Sequence, residues 1–164
     1  MATLHTTWAA QPVDENRIST IDKRIRSYIE QYGNVTYDAL IFAESDWQIF
    51  YQLSELRTGI VSWYDFKPGA RVLEVGAGFG ALTGRLCKNC AHVTATERSL
   101  YRAEALVKRY EDVENLEIFA GDLKDMEFAE QFDYIVVVGL LERIGAGSSA
   151  AEPYVQYLQL LQKH

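Results

Sequence analysis

The chain has 164 residues, of which 48% are apolar and 24% charged, and its formal net charge is −7. This length suits one domain, and no apolar run approaches the roughly 20 residues that span a bilayer. The acidic balance disfavours nucleic acid as a partner, and the N-terminus lacks the basic-then-apolar order of a signal peptide, so we expect a cytoplasmic protein.

Residues 1–66 are predicted to form an N-terminal helical cap segment. Residues 1 to about 15 show no periodicity and are expected to be a loose arm. Gly33-Asn34 is predicted to end a helix that begins near Ile18. This helix is predicted from apolar residues at helical spacing: Ile18, Ile21, Ile25, Tyr28, Ile29, Tyr32. A second short apolar segment covers residues 37–43.

A longer helix is predicted to begin at Ser45, which forms a capping box with Gln48. Pro68-Gly69 breaks the chain after it. Its apolar stripe comprises Trp47, Phe50, Tyr51, Leu53, Leu56, Ile60 and Trp63. The aromatic stripe is expected to lie mainly in the core, although a substrate platform is the alternative: Trp47, Phe50, Tyr51, Trp63, Tyr64.

Residues 67–164 are predicted to alternate strands with helices. Strands are expected at 71–75, 92–96, 116–119 and 134–138, the last of them buried on both faces. Helices are expected at 81–87, 99–110 and 153–162, with a weak one at 126–130 and a loop at 145–151. The alternation predicts an α/β fold with a Rossmann-like, doubly wound parallel sheet of about four strands.

A glycine-rich turn follows the first of these strands, at Gly76, Gly78 and Gly80. Glycine lets the chain turn tightly and lets a ligand approach the backbone. The spacing also fits the dinucleotide pattern G-x-G-x-x-G/A, so an NAD-type oxidoreductase is an alternative. Glu74 inside the strand argues against that alternative, because a dinucleotide-binding fold usually has an apolar residue there. A carboxylate at this position can bind a ligand ammonium or organise the turn.

Two further acids end the next two strands. Glu97 follows the second strand and suits a ribose hydroxyl, and Asp122 follows the third and can accept from an adenine amino group. Ligands of open parallel sheets bind beyond the carboxyl ends of the strands, so these acids should face one site. Each acid taken alone could be an ordinary structural or loop carboxylate.

This constellation resembles the class I S-adenosylmethionine-dependent methyltransferases over about residues 68–143. The resemblance rests on Glu74 to Gly80, Glu97, the run 120–123 and the run 132–142. It implies that the glycine turn lies against the methionine part of the cofactor, that Glu97 holds both ribose hydroxyls, and that Asp122 with the amide of Leu123 holds adenine. The full implied set of cofactor residues is Glu74, Gly76, Ala77, Gly78, Gly80, Glu97, Arg98, Asp122, Leu123 and Gly139.

Residues 51–57 look like the helix before the first strand in bacterial methyltransferases associated with surface polysaccharides. That likeness implies N-terminal helices that cover the cofactor and shape the acceptor pocket. The expected reaction converts S-adenosylmethionine to S-adenosylhomocysteine on a small-molecule or glycan acceptor. No residue identifies itself as a general base, although Glu142 is a candidate. No metal is expected, and Cys87 and Cys90 are taken as ordinary thiols.

Four predicted strands are fewer than the seven of the family's domain. We therefore expect an N-terminal piece of a longer protein, whose own catalysis is in doubt, and a non-catalytic cofactor-binding module is a second alternative. In the usual order 3-2-1-4 the fourth strand lies at an edge, and an apolar edge favours pairing with another chain. The expected assembly is a homodimer formed through this edge.

Overall fold

A computed structural model of the chain describes residues 1–9, 18–141, 144 and 152–164. The strands are β1 (Thr3–His5), β2 (Arg71–Val75), β3 (His92–Glu97), β4 (Leu116–Ala120) and β5 (Tyr134–Val137). The helices are α1 (Thr20–Tyr32), α2 (Asp38–Glu44), α3 (Trp47–Leu53), α4 (Gly59–Ser62), α5 (Thr83–Asn89), α6 (Leu100–Arg109) and α7 (Glu152–Leu161). Short 3-10 helices cover Glu55–Thr58 and Leu123–Asp125. The predicted loop at 145–151 and the candidate base Glu142 lie outside the described residues.

Within the described residues the strands form one parallel sheet in the order β1-β4-β3-β2-β5. The four predicted strands have the expected order, which confirms the Rossmann-like fold. The expectation of a loose N-terminal arm is wrong for Thr3–His5, because these residues pair with Glu117–Phe119 of β4. The sheet therefore has one more strand than predicted. This strand was missed because three residues are too few to show the alternating pattern from which strands are predicted.

The single long helix predicted from Ser45 is in fact broken into several pieces. Ser45 ends α2 with a positive φ of 49°, and Asp46 caps α3 instead by accepting from the amides of Gln48 and Ile49. A second break follows at Ser54, whose extended backbone ends α3 and whose hydroxyl accepts from the amide of Leu56. The predicted capping box at Ser45 is wrong, because the adjacent Asp46 is also a suitable cap residue and is the one that caps α3.

The expected burial of the aromatic stripe is wrong at several positions. Trp47 is 69% exposed and Trp63 75% exposed. The buried face of α3 consists of Ile49 and Leu53, which pack in a cluster with Ile25 of α1. The break at Ser54 changes the direction of the chain, so the later members of the stripe do not continue the same face.

Each face of the sheet carries its own apolar core. On one face, Val72 of β2 packs in a cluster with Leu86 of α5, Leu106 of α6 and Ile118 of β4. On the other face, Leu73, Val75, Leu123 and Met126 are buried, with Tyr157, Leu160 and Leu161 of α7 packed against them. The weak helix predicted at 126–130 is absent, because Asp122 caps the 3-10 helix Leu123–Asp125 and Met126 continues as extended chain.

The described helices include none with the length and apolar character needed to cross a bilayer. Cys87 and Cys90 are free thiols at the end of α5, and burial raises the pKa of Cys87 to about 12. Burial also raises the pKa of Cys90, so neither cysteine is tuned toward the reactive thiolate form.

The outer strand β5 forms one edge of the sheet, and the short strand β1 forms the other, among the strands that the structure describes. Among the described strands β5 pairs only with β2, and all four of its residues are half-buried, so its predicted burial on both faces is wrong. Three apolar side chains of the following helix α7 are also exposed, namely Tyr154, Val155 and Leu158. An open apolar strand edge is a template for pairing with another chain.

From this edge we predict a reversible homodimer. Light scattering over a concentration series should give the dimer mass at high concentration and the monomer mass on dilution. Amides of Tyr134–Val137 that do not bond to β2 should be protected from hydrogen exchange only at high concentration. A monodisperse monomer at every concentration would contradict the prediction.

Candidate functional site

A cleft of about 970 Å³ opens where the carboxyl ends of β2, β3 and β4 meet. Its size is typical of small-molecule and cofactor sites. Of the ten residues that the sequence assigned to one site, nine line this cleft: Glu74, Gly76, Ala77, Gly78, Glu97, Arg98, Asp122, Leu123 and Gly139. The parallel sheet brings them together from four separate stretches of the chain.

Gly80 is the predicted residue that does not line the cleft. It has a φ of 86°, and a Cβ there would lie 2.5 Å from Cδ1 of Leu106 and 2.6 Å from Cε2 of Tyr110. The Tyr110 hydroxyl also donates to the Gly80 carbonyl at 2.7 Å. Glycine is therefore required here for the close packing of the turn against α6.

The glycine turn is held against the tip of β3. The amides of Gly76 and Ala77 both donate to the Thr96 carbonyl at 2.9 Å. Gly76 and Gly78 have φ values of 75° and 60°, a left-handed conformation that side chains disfavour. Gly76 and Gly78 thus present backbone to the cleft, and Ala77 between them adds only a methyl group.

Glu97 connects this turn with the start of α6. Its Oε2 accepts from the Gly78 amide at 3.0 Å and its Oε1 from the Ser99 amide at 2.8 Å. The residue is only 7% exposed. Because a carboxylate has about four acceptor positions, both oxygens can accept further bonds from a ligand in the cleft.

The tip of β4 contributes a more accessible acid. Asp122 is half-buried, and its Oδ1 accepts from the Lys124 amide at 3.2 Å. Leu123 beside it is buried. Between the tips of β3 and β4, the Glu97 carbonyl accepts from the Gly121 amide at 3.0 Å, which fixes the spacing of the two acids.

Glu74 is a buried acid at the floor of the cleft. It is 4% exposed, and its Oε2 accepts from the Thr83 hydroxyl at 2.7 Å. Burial raises the pKa of Glu74 from 4.5 to about 7, while the Thr83 hydrogen bond and the charges of Arg57 and Arg109 lower it. A carboxyl with a pKa near neutrality inside a cleft is typical of a functional site.

Several cleft residues were not assigned to the site from the sequence. Tyr51, Gln52 and Arg57 come from the N-terminal segment, Arg102 from α6 and Tyr157 from α7. The likeness of residues 51–57 to a helix that covers the cofactor was a signal for the first three. Nothing comparable pointed to Arg102 or Tyr157, because their positions depend on how helices pack on the sheet.

Comparison with protein families gives a match over residues 72–152 to the model described as a methyltransferase domain. The probable ribosomal RNA small subunit methyltransferases A of two archaea are similar over 77 residues. The Methanosarcina barkeri protein is 44% identical there, and the match covers 47% of this chain and 26% of the relative. The Methanosarcina acetivorans protein is 39% identical, over 47% and 28% of the two chains. The matches thus span less than a third of these relatives.

Two solved structures of methyltransferases have a similar fold. Phosphoethanolamine N-methyltransferase 1 of Haemonchus contortus superposes with a TM-score of 0.57 and 15% identity, over 89% of this chain and 30% of that one. The N-methyltransferase NodS of Bradyrhizobium japonicum gives a TM-score of 0.52 and 22% identity, over 66% and 57% of the two chains. At these identities the likeness concerns the fold alone.

The buried carboxyl of Glu74 generates a prediction about stability. Since its pKa is raised from 4.5 to about 7, the folded state holds a proton that the unfolded chain releases between those values. Stability therefore falls as pH rises through this window. Glu74→Gln removes that dependence and should raise the free energy of unfolding above pH 7 by about 2–3 kcal/mol.

Urea unfolding at pH 4 and pH 8 checks this expectation. The gain from Glu74→Gln should be present at pH 8 and absent at pH 4, below the ordinary pKa of the unfolded chain. Glu127→Gln, at an exposed acid, is the matched control and should change stability by less than about 0.5 kcal/mol at both pH values. Equal effects of Glu74→Gln at the two pH values would contradict the assignment.

Proposed function

Since residues 72–152 belong to the class I S-adenosylmethionine-dependent methyltransferases, we propose that the cleft binds S-adenosylmethionine and that the domain transfers its methyl group to an acceptor. The single observation that carries this proposal is the meeting of a bare glycine turn and three carboxyl groups in one cleft. The complete activity is part of the proposal, because the chain spans only part of its relatives.

The residues present fit this cofactor. Glu97 has acceptor positions for the two ribose hydroxyls. The carboxylate of Asp122 can accept a hydrogen bond from adenine, and the backbone amide of Leu123 can donate one to it. Glu74 is buried and lines the same cleft as Gly76 and Gly78. Its carboxylate suits a positively charged amino-acid ammonium, and a cation bound there would favour the ionised form of an acid whose pKa is about 7.

The chemistry places modest demands on the protein. When bound, S-adenosylmethionine supplies an activated methyl group on a sulfonium, and its departure leaves a neutral thioether. The contribution of the chain is to hold the ribose at Glu97 and the base at Asp122, so that the methyl group and an acceptor are aligned. Side chains of the N-terminal segment, such as Tyr51 and Gln52, would reduce access of water.

The acceptor is open to direct test. The names of the archaeal relatives make ribosomal RNA the first candidate, whereas the net charge of −7 works against a phosphate backbone. A small-molecule or glycan acceptor stays a prediction from the sequence. Transfer of a labelled methyl group to small-subunit ribosomal RNA, compared with amines and sugars, distinguishes these acceptors. Absence of turnover despite cofactor binding would favour the non-catalytic module.

We predict that Glu97→Ala combined with Asp122→Ala abolishes cofactor binding. Each variant removes charge-assisted hydrogen bonds, so the Kd for S-adenosylhomocysteine should rise at least about 100-fold in calorimetry. Asp125→Ala, at an exposed acid close to Asp122 in sequence, is the control and should bind normally. NAD should not bind to the parent protein. Binding of NAD without S-adenosylhomocysteine would support the oxidoreductase alternative instead.

A pair of glycine variants separates backbone strain from contact with the ligand. Gly78→Ala and Gly69→Ala both place a Cβ at a positive φ, of 60° and 77°, so backbone strain should cost both about 1 kcal/mol of stability. A Cβ on Gly78 also lies 3.0 Å from Oε1 of Gln52, whose side chain must shift slightly, whereas a Cβ on Gly69 meets no atom within 4 Å. Gly78 lines the cleft and Gly69 does not. Only Gly78→Ala should weaken S-adenosylhomocysteine binding, by about tenfold or more. Equal affinities of the two variants would show that the ligand does not approach the turn.

A further inference from the structure

A second cavity, of about 380 Å³, lies beside α5 and adjoins the cleft at Ala81, which lines both. Its walls come from α5, from the end of α6 with the loop at 113–115, and from Asn34 and the 3-10 helix Glu55–Thr58. Within the described residues, none of those assigned to the cofactor lines this cavity. The proposed function therefore makes no use of it.

A buried cation lies in the wall of this cavity. Arg109 is 4% exposed, and its Nη1 and Nη2 donate to three backbone carbonyls, those of Gln52, Leu53 and Phe79. Its Nε is buried and has no hydrogen-bond partner in the described part of the chain. Because arginine stays protonated in proteins and carbonyls carry no net charge, these bonds do not neutralise Arg109. The side chain thus keeps an unpaired charge and an unmade hydrogen bond, and both are costly in a protein interior.

Two further cations line the same cavity from α5. Arg85 is half-buried and Lys88 is exposed, and their spacing of three residues places them on one face of the helix. Within the described residues neither side chain forms an ion pair or a hydrogen bond. Composition does not force this lack of partners, because acids outnumber cations in a chain of net charge −7. The side-chain donors of Arg85 and Lys88 are therefore available to a ligand.

The acids around the cavity do not pair with these cations. Glu55 and Glu114 also line it, but both are exposed, and neither forms an ion pair among the residues that the structure describes. The buried Glu74 accepts from the Thr83 hydroxyl and lines the cleft instead. Three cations against two exposed acids leave this cavity positive, in contrast to the chain as a whole.

We propose that this cavity binds a phosphate group, at a site separate from the cleft. Phosphate oxygens accept several charge-assisted hydrogen bonds at once; the planar guanidinium of Arg85 suits them bidentately, and Lys88 acts as a point charge. Arg109 supplies the buried charge and the Nε–H that the protein leaves without an acceptor. A water molecule on that Nε would satisfy the donor but would leave the three charges unpaired.

The volume of the cavity admits inorganic phosphate and also a small phosphorylated molecule, which present the same group. Parallel calorimetric titrations with inorganic phosphate and with ribose 5-phosphate distinguish these two sources. Tighter binding of ribose 5-phosphate indicates a phosphorylated molecule, and equal or weaker binding indicates the free ion. The ionic strength is held constant, so that general screening does not change.

The parent protein should bind one phosphate per chain. Arg85→Gln combined with Lys88→Gln should weaken this binding at least about tenfold, as expected for the loss of charge-assisted hydrogen bonds. Since neither side chain has a partner in the described chain, the midpoint of urea unfolding should stay that of the parent. In NMR spectra the Nε–H signal of Arg109 should shift when phosphate is added. Binding without this shift would contradict the part assigned to Arg109.

Lys23→Gln combined with Lys163→Gln is the matched control. It removes two exposed lysines that form no ion pair among the described residues and that lie outside the cavity, so phosphate affinity should change by less than about twofold. Saturation with S-adenosylhomocysteine should leave the phosphate affinity unchanged, because the two sites are separate.

The inference is overturned if the parent protein does not bind phosphate, or if the variant of Arg85 and Lys88 binds it as tightly as the parent. Equal weakening by the two double variants would show a general attraction to surface charge and would overturn it as well. Displacement of phosphate by S-adenosylhomocysteine would place the anion in the cleft instead. Failure of S-adenosylhomocysteine to bind would contradict the proposed function and not this inference.

Discussion

The hydrogen bonds of Glu97 are the interaction on which the site depends. One carboxylate accepts from the amide of Gly78 and from the amide of Ser99, and so connects the glycine turn after β2 with the first turn of α6. Ser99 in turn caps α6 by accepting from the amide of Arg102. The acid is buried, so removal of its carboxylate would leave the amides of Gly78 and Ser99 without their acceptor. The shape of the cleft is therefore coupled to the residue proposed to hold the ribose.

Much of this site was predictable because parallel sheets obey strong geometric rules. Glu74, Glu97 and Asp122 are far apart in the chain, yet each lies in or directly after a buried strand, and parallel strands bring their carboxyl ends to one edge. Gly80 shows the limit of such reasoning. The same motif that places Gly76 and Gly78 at the cleft places Gly80 against Leu106 and Tyr110, and the spacing of glycines does not distinguish the two uses.

The N-terminal segment was harder to predict because tertiary contacts decide its shape. The three residues of β1 gain their conformation from pairing with β4, and this partner is more than a hundred positions away in the sequence. The breaks at Ser45 and Ser54 depend on competition between neighbouring polar caps, which local propensity does not resolve. As a result, aromatic residues predicted to lie in the core, such as Trp47 and Trp63, face solvent.

A buried arginine explains how this irregular segment is nevertheless fixed against the cleft. Arg109 at the end of α6 is 4% exposed, and its Nη1 donates to the carbonyls of Phe79 and Gln52 at 2.8 Å and 3.3 Å. Its Nη2 donates to the carbonyl of Leu53 at 3.4 Å. One side chain thus joins α6, the glycine turn and the end of α3. Because a buried charge is costly unless it is hydrogen-bonded, any displacement of α3 would leave Arg109 with too few acceptors. This constraint holds Gln52 over Gly78 and, through the short connection that follows, positions Arg57 at the same cleft.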